Sequence, residues 1–227
     1  MQAQQVPKTF GRKAVKLSKS QRELLEQFLP QVEIPFKTGH IDTADYFECK
    51  GPLHLEIGFG LGEYTLEMAA RHRDHRIIGC EVFLNGVASL LKGIKEQDIT
   101  NVRIIKGDAR IALLEMFKPG SFDYIHVNHP DPWPKKRHHK RRIIQPETLE
   151  LFGNALKTGG EAWLSTDIIE YADWMRECFE ASDRFEMAPS ERRFVEMSAE
   201  TTITTRFEQK AIRQGRSTTF LRYRKVR

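Results

Sequence analysis

Cysteine is scarce in this sequence, and long apolar runs are absent from it. The chain holds only Cys49, Cys80 and Cys178, and none belongs to a CxxC pair that would indicate a disulfide framework or a zinc site. No stretch approaches the ~18 apolar residues of a membrane-spanning helix, and no apolar signal core opens the N-terminus. We therefore expect free thiols in a reducing compartment, a cytoplasmic location, no membrane contact and no bound metal.

Acidic residues are also missing where the positive charge concentrates. The first 22 residues contain six Lys or Arg and no acid, and the last 22, from Arg206 onward, contain eight and a single acid, Glu208. A third basic run, from Lys135 to Arg142, follows a lone carboxylate, Asp131, in the stretch "NHPDPWPKKRHHKRR". With 227 residues and a formal charge of +5, the chain suits one domain with basic extensions, and the clustered charge favours a polyanionic partner such as nucleic acid.

Short apolar segments alternate with helix-like segments along the middle of the chain. The apolar segments are rich in β-branched residues and end in glycine or polar residues, which is typical of buried strands. They are Pro52–Gly58, Arg76–Glu81, Val102–Asp108, Phe122–Asn128 and Glu161–Asp167, with Arg184–Ala188 and Thr218–Arg224 as candidate last strands. The helices are predicted at Glu63–Arg73, Leu84–Gln97, Ala109–Phe117, Pro146–Leu156 and Ile169–Ala181, after a short capped helix that ends at Pro30. This alternation predicts an α/β fold, a doubly wound and mostly parallel sheet with helices on both faces.

An acidic side chain stands at or just past the end of each of the first five strands. These acids are Glu56, Glu81, Asp108, Asp131 and Asp167. Because parallel strands end at one edge of the sheet, where open α/β sheets bind their ligands, we expect the five carboxylates to converge on one rim. A single acid in this position is often only a helix cap, and one or two of the five could have that role instead.

The first strand runs into a glycine-rich turn, Gly58-Phe59-Gly60-Leu61-Gly62, which opens a helix. Glycines there let the backbone approach a ligand closely. A dinucleotide fingerprint would have glycine at position 63, where Glu63 would instead repel a pyrophosphate. A phosphate-free cation fits better. We expect S-adenosylmethionine, with Glu81 on its ribose hydroxyls and Asp108 near its adenine amino group.

The motif "PDPWPKKRHHKRR" resembles the signature of the bacterial tRNA (guanine-N7-)-methyltransferases, which are class I S-adenosylmethionine-dependent enzymes with a Rossmann-like fold. The segments "EIGFGLG", "GCEVFLNGV", "STDIIEYADWM" and "TRFEQKAIRQG" are similar to that family in the same order, so the resemblance covers roughly residues 52–224. Two positions depart from the family: His129 replaces its usual Phe, and Ile203-Thr204 stand where it often has proline. We predict a methyltransferase domain over residues 51–227 whose last strand is antiparallel, preceded over residues 1–50 by a basic extension with a short helix.

The resemblance implies methyl transfer from S-adenosylmethionine to N7 of a guanine in the variable loop of tRNA, position 46 by tRNA convention. It implies catalysis by Asp131 and cofactor binding by Glu56, Gly58, Gly60, Glu81, Asp108, Ala109 and Asp131. It implies tRNA contacts for Lys135, Asp167, Thr205, Arg206, Phe207 and Glu208, and from the basic run we add Arg137, His138, Lys140, Arg141 and Arg142 as contacts with the RNA.

N7 of guanine carries no proton, so no general base is needed to create the nucleophile. We expect Asp131, fixed by the proline on either side of it, to hold the guanine or the sulfonium rather than to accept a proton. Asp167 and Glu208 suit the N1–H and N2–H₂ donors of guanine and could select it over adenine. Trp133 either stacks on a base or packs beneath the turn, and the sequence leaves both roles open.

Three other functions stay open at this point. A methyltransferase acting on an exocyclic amine would carry a motif of Asn or Asp, two prolines and an aromatic residue, which Asn128–Trp133 matches only loosely. A non-catalytic RNA-binding or assembly subunit would explain the basic charge but would not need Glu56, Glu81 and Asp108. A nicotinamide oxidoreductase is disfavoured by the glycine spacing.

Overall fold

A seven-stranded sheet forms the centre of the computed structural model, which describes residues 9–10, 16–188, 209 and 212–227. The strands are β1 (Leu53–Ile57), β2 (Arg76–Glu81), β3 (Val102–Lys106), β4 (Phe122–Asn128), β5 (Leu156–Thr166), β6 (Phe185–Met187) and β7 (Thr219–Lys225). Their order in the sheet is β3-β2-β1-β4-β5-β7-β6. The first five strands pair in parallel, and β7 runs antiparallel to both of its neighbours, which confirms the predicted fold class.

Helices pack on both faces of this sheet. They are α1 (Lys19–Gln27), α2 (Leu29–Val32), α3 (Glu63–Arg71), α4 (Leu84–Glu96), α5 (Ala109–Glu115), α6 (Pro146–Ala155) and α7 (Ile169–Glu180), with 3₁₀ helices at Thr43–Tyr46 and Lys136–Arg141. The five helices predicted between the strands are all present, and each ends one or two residues earlier than the sequence suggested. No helix in the part of the chain that the structure describes is both long and apolar enough to cross a membrane.

The helix before the sheet and strand β5 also differ from their predicted boundaries. The helix before the sheet does not stop at Pro30, because a second short helix, α2, begins at Leu29 and carries this proline in its first turn. Proline is tolerated there, since the first amides of a helix have no partner within it. Strand β5 begins at Leu156, directly after α6, rather than at Glu161. The pair Gly159-Gly160 inside it has the composition of a turn, which hid the early start of the strand.

Strand β1 is buried on both faces, but the two faces differ in chemistry. Leu53, Leu55 and Ile57 pack into the apolar core formed with α5, α6 and α7. His54 and Glu56, the alternate residues, point to the opposite face, where Thr65 of α3 hydrogen-bonds to Glu56 and His126 hydrogen-bonds to both His54 and Tyr64 of α3. A buried polar layer therefore lies between β1 and α3, directly below the glycine-rich turn.

The segment before the sheet packs onto its β3 edge. A capping box between Ser18 and Gln21 starts α1, which lies against α4. The N–H of Ile34 then donates to the carbonyl oxygen of Ile104 at 2.8 Å, which adds a bridge beside β3. Ile34 and Ile41 are buried in the main core, so residues 16–50 are joined to the domain by apolar packing.

Candidate active site

A cavity of about 570 Å³ opens at the C-terminal ends of β1, β2 and β4. Strand β1 has β2 on one side and β4 on the other, so the crossovers leave it in opposite directions and a crevice forms between them. The wall combines acidic side chains with apolar ones, among them Phe59, Val82, Phe83 and Ile143. The volume lies within the ~300–1,000 Å³ of ordinary small-molecule sites.

Four of the five strand-end acids line this cavity together: Glu56, Glu81, Asp108 and Asp131. Asp167 does not line it. Its carboxylate lies beside the rim, with Oδ1 at 3.7 Å from Nδ1 of His129 and Oδ2 at 2.9 Å from a guanidinium nitrogen of Arg216. The expected convergence is therefore met by four carboxylates and not by the fifth.

Glu81 holds the glycine-rich turn in place. Its Oε2 accepts the N–H of Gly60 at 2.9 Å, and its Oε1 accepts those of Val82 at 2.7 Å and Phe83 at 3.0 Å. Gly60 has a φ of +57°, in the left-handed region that favours glycine. Gly86 of α4 lies so close that a Cβ added to it would be 2.2 Å from the Gly60 carbonyl oxygen. This wall of the cavity is consequently fixed before any ligand arrives.

The ionisation of Glu81 reflects two opposing influences. Burial raises its pKa, the hydrogen bonds that it accepts from backbone N–H groups lower it, and the negative charge of Asp131 raises it again. Asp131 and Glu81 both line the cavity, and their negative charges repel each other. A cation between them would relieve that repulsion.

Glu56 is the most deeply buried of the four acids, with 2% of its surface exposed. It accepts a hydrogen bond from the Thr65 hydroxyl, and the amide nitrogen of Asn128 lies 3.4 Å from its other oxygen. Burial is the main cause that raises the pKa of Glu56 to about 7, and the hydrogen bonds from Thr65 and Asn128 oppose it. Near neutral pH this carboxyl group is therefore partly protonated in the absence of a cation.

Asp108 is a helix cap as well as a cavity residue. It accepts the backbone N–H of Arg110 at 3.0 Å and so starts α5. The Arg110 guanidinium also binds both of its oxygens, at 3.1 and 2.7 Å. Two other predicted cofactor residues also lie on the cavity wall. Ala109 is buried at the start of α5, and the N–H of Gly58 donates to the carbonyl oxygen of Cys80 at 2.8 Å.

Asp131 stands exposed on a constrained turn after β4. Pro130 and Pro132 flank it, and His129 and Trp133 have φ angles of +46° and +44°. Left-handed backbone at residues other than glycine costs about 1–3 kcal/mol each, so surrounding contacts must hold the turn in shape. The carboxylate is therefore presented to the cavity from a backbone with little freedom.

Trp133 contacts the N-terminal segment of the chain. Its ring N–H donates to the carbonyl oxygen of Thr9 at 3.0 Å, and the Arg141 guanidinium lies 3.8 Å above its ring. Arg141 donates in turn to the carbonyl oxygen of Phe10 at 2.9 Å, and Phe10 meets Phe83 edge to face at 6.0 Å. Thr9 and Phe10 both line the cavity. Trp133 and Arg141 thus hold two residues of the cavity wall, Thr9 and Phe10, in place.

The basic run forms the 3₁₀ helix Lys136–Arg141 beside the cavity mouth. Lys135, Arg137 and Lys140 are exposed, and His138 and Arg141 are partly exposed. The prediction that Arg142 contacts RNA is at odds with its place in the structure. Its side chain is 0% exposed and bound to Glu170 of α7, and its backbone is extended because it is the C-cap residue just past the 3₁₀ helix.

The predicted tRNA contacts Thr205, Arg206, Phe207 and Glu208 lie outside the residues that the structure describes. Within those residues, no group of three or more His, Cys, Asp or Glu side chains is arranged to hold a metal ion. Sequence reasoning missed Asn128, Thr65 and Phe10. Asn128 ends β4 on the same face as the acids, and this was the one signal that could have found it.

Residues 50–221 match a protein family described as "Putative methyltransferase". The chain belongs to this methyltransferase family. A protein from Halorhodospira halophila is 39% identical to it over 220 residues, 96% of this chain and 94% of the relative. One from Zymomonas mobilis subsp. mobilis is 39% identical over 211 residues, 92% and 90% of the two chains. Both relatives are named tRNA (guanine-N(7)-)-methyltransferase, so the resemblance seen in the motifs is confirmed.

Solved structures of other methyltransferases share the fold of this family member. The crystal structure of the 16S rRNA methyltransferase KamB aligns with a TM-score of 0.59 at 11% identity, over 82% of this chain and 95% of that one. An rRNA methylase from Streptococcus thermophilus aligns with a TM-score of 0.52 at 12% identity, over 79% and 89%. At these identities the likeness concerns architecture only.

Proposed function

We propose that this protein transfers a methyl group from S-adenosylmethionine to N7 of a guanine in the variable loop of tRNA, at position 46 by tRNA convention. One observation carries the proposal. Four carboxylates line a single cavity whose mouth lies beside an exposed basic helix, in a chain whose relatives are named tRNA (guanine-N(7)-)-methyltransferase.

The residues of the cavity fit S-adenosylmethionine in charge and in size. Glu56, Glu81 and Asp131 provide negative charge for a ligand with a sulfonium and an ammonium, and Phe59 and Phe83 provide apolar walls. Asp108 and Ala109, on the wall formed by the start of α5, suit the adenine end. When bound, this cofactor would supply an electrophilic methyl group.

Asp131 is the residue to which we assign catalysis. The nucleophile is an unprotonated ring nitrogen, so Asp131 holds the guanine and stabilises the positive charge that develops on it, without taking a proton. Its constrained turn restricts the carboxylate to one region of the cavity mouth. Positioning of this kind lowers a barrier by as much as about 7–11 kcal/mol when the reacting atoms are well aligned.

The basic helix provides the tRNA contact. Lys135, Arg137 and Lys140 are exposed beside the mouth and can bind phosphates, and Asp167 lies near the rim, where it can meet the Watson–Crick edge of guanine. Because N7 of a stacked guanine in folded tRNA is difficult to reach, phosphate binding by these residues favours local opening of the loop.

A methyl-transfer assay on unmodified tRNA tests the proposal directly. We expect 7-methylguanosine in the variable loop, identified by mass spectrometry of nucleosides and mapped fragments. A tRNA with 7-deazaguanine at position 46 is the matched control, because it keeps the shape of guanine but lacks the nucleophile. Methylation at N2 or N6 would instead identify an enzyme acting on exocyclic amines. Failure to bind S-adenosylmethionine in calorimetry would favour a non-catalytic RNA-binding subunit.

A further inference from the structure

Three imidazole rings form a hydrogen-bonded row that starts at the cavity wall. Tyr64 lines the cavity, and its hydroxyl oxygen lies 3.1 Å from Nδ1 of His126. Nε2 of His126 lies 2.9 Å from Nδ1 of His54, and Nε2 of His54 lies 2.9 Å from Nδ1 of His75. His75 is partly exposed near the opposite edge of the sheet. We call Tyr64, His126, His54 and His75 the histidine row.

Strand register places the row next to the buried acid of the site. His54 and Glu56 are two residues apart on β1 and share a face of the sheet. Across the pairing with β4, Glu56 is the register partner of His126. Tyr64 precedes Thr65, whose hydroxyl donates a hydrogen bond to Glu56. Burial is the main cause that raises the pKa of the Tyr64 hydroxyl, and the negative charge of Glu56 raises it further. The row and the Glu56 carboxyl group therefore belong to one polar layer.

Every imidazole of the row is neutral at ordinary pH. Burial is the largest cause that lowers the pKa of His54 to about 2 and that of His126 to about 3, and the neighbouring His126 and His75 lower that of His54 further. Burial and the adjacent His72 also lower the pKa of His75. A neutral imidazole has one N–H donor and one acceptor nitrogen. All hydrogen bonds of the row must therefore run in the same direction.

Two directions satisfy every contact. In the outward arrangement the Tyr64 hydroxyl donates to His126, and each Nε2–H donates to the next Nδ1, so that His75 presents an N–H to solvent. In the inward arrangement each Nδ1–H donates back along the row, and the Tyr64 hydroxyl is left to donate toward the cavity. The heavy-atom distances are equally suited to both.

We propose that the histidine row is a proton relay, which points outward while Glu56 is protonated and inward once Glu56 is ionised. In the switch, the proton of Glu56 passes through cavity water to the Tyr64 oxygen, and the former Tyr64 proton passes to Nδ1 of His126. The Nε2 protons of His126 and His54 move to the next Nδ1, and Nε2 of His75 releases one proton to solvent. One proton leaves the site, and every ring ends neutral.

The relay gives the proposed function a route for the proton that a cationic cofactor displaces. A sulfonium or ammonium near Glu56 favours its carboxylate, and the Tyr64 hydroxyl then donates toward the cavity instead of away from it. The groups facing Glu56 are Glu81 from β2, Thr65 and Tyr64 from α3, and Asn128 and His126 from β4. At the other end His75 is influenced by His72, Asp74 and Asp123.

Histidine ¹⁵N NMR on the ligand-free protein tests the relay without relying on the cofactor. The spectra are compared at about pH 5.5 and about pH 8.5, on either side of the Glu56 ionisation. With rising pH, the Nδ1 atoms of His126 and His54 should change from the chemical shift of an acceptor nitrogen to that of an N–H nitrogen. Their Nε2 atoms should change in the opposite sense. Glu56→Gln should remove the pH response, and Tyr64→Phe should isolate the rings from the cavity and remove it as well. Unchanged tautomers in the wild type, a doubly protonated His126, or a response that survives in Glu56→Gln would each overturn the proposal.

The ligand arm uses S-adenosylmethionine itself at about pH 5.5, where most Glu56 is protonated. Binding should turn His126 and His54 to the inward tautomer and release close to one proton, measured by calorimetry in two buffers of different ionisation enthalpy. Binding with unchanged tautomers would overturn the relay. Absence of binding would count against the proposed function alone, because the pH titration needs no ligand.

Discussion

One guanidinium nitrogen of Arg142 donates to both carboxylate oxygens of Glu170, at 2.9 and 2.8 Å. The Nε of the same guanidinium donates to the carbonyl oxygen of Pro132 at 2.9 Å, and the group also lies over the rings of Tyr171 and Trp174. Helix α7 is thereby tied to the turn that carries Asp131. The contact explains how a turn with two left-handed residues keeps its shape.

Arg142→Ala should destabilise the protein because it removes a fully buried side chain that makes these three hydrogen bonds. We expect a loss of about 2–3 kcal/mol in the free energy of unfolding, measured by urea denaturation, together with slower methyl transfer as the Asp131 turn loosens. Lys140→Ala, an exposed neighbour, should change stability by less than about 0.5 kcal/mol. Equal stability of the two variants would show that Arg142 is not the support described here.

Lys135→Ala and Lys140→Ala should weaken tRNA binding through lost phosphate contacts. Each should lower the slope of log affinity against log salt by about 1, measured by filter binding over a range of salt. Lys157→Ala is the control, since Lys157 lies near the start of β5, at the edge opposite the cavity, and pairs with Asp123 at 2.7 Å. An unaltered slope in the first two variants would place the RNA elsewhere.

Glu56→Gln should change the pH dependence of stability in a defined direction. The folded state raises the pKa of Glu56 from 4.5 to about 7, so between these values the folded protein holds a proton that the unfolded chain has released. As pH rises through this range, ionisation of Glu56 lowers the free energy of unfolding of the wild type by about 3 kcal/mol in all. The free energy of unfolding of the variant should therefore rise relative to that of the wild type from about pH 4.5 to about pH 7, and the difference should stay constant above about pH 7.

Thermal or urea unfolding of both proteins across this range measures the difference directly, because every other titrating group is common to the two. A difference that does not vary with pH would mean that Glu56 ionises normally in the folded protein.

Asp131→Asn should reduce the rate of methyl transfer by about 10²–10³-fold, as expected when a group that stabilises transition-state charge is lost. The side chain is exposed, so the fold should be unaffected, as judged by circular dichroism and unfolding. Single-turnover kinetics on saturated enzyme separate this effect from weaker binding. Retention of the full rate would remove Asp131 from the catalytic role.

The acids on the cavity were accessible to sequence reasoning because parallel strands place their ends on one edge, whatever the details of packing. This rule alone predicted the positions of Glu56, Glu81, Asp108 and Asp131. Asp167 also comes directly after a parallel strand, but its carboxylate pairs with His129 and Arg216 beside the cavity. Because Arg216 is 49 residues further along the chain, the local sequence could not predict this contact.

Other features depended on register and on long-range contacts. The histidine row requires β1, β4 and the turn before β2 to be aligned to within one residue, which spacing alone does not determine. Trp133 was left between two roles, and the contact with Thr9 lies 124 residues away in sequence. The burial of the Arg142 side chain could not be predicted, because every neighbouring residue in the run is also basic.

The position of β7 has a consequence for how the chain matures. This strand lies between β5 and β6 in the sheet, although it follows both of them in the chain. During folding, β6 therefore has no neighbour to pair with until β7 has entered the sheet beside it. Removal of β7 would therefore detach two strands rather than one and leave an open, aggregation-prone edge on β5.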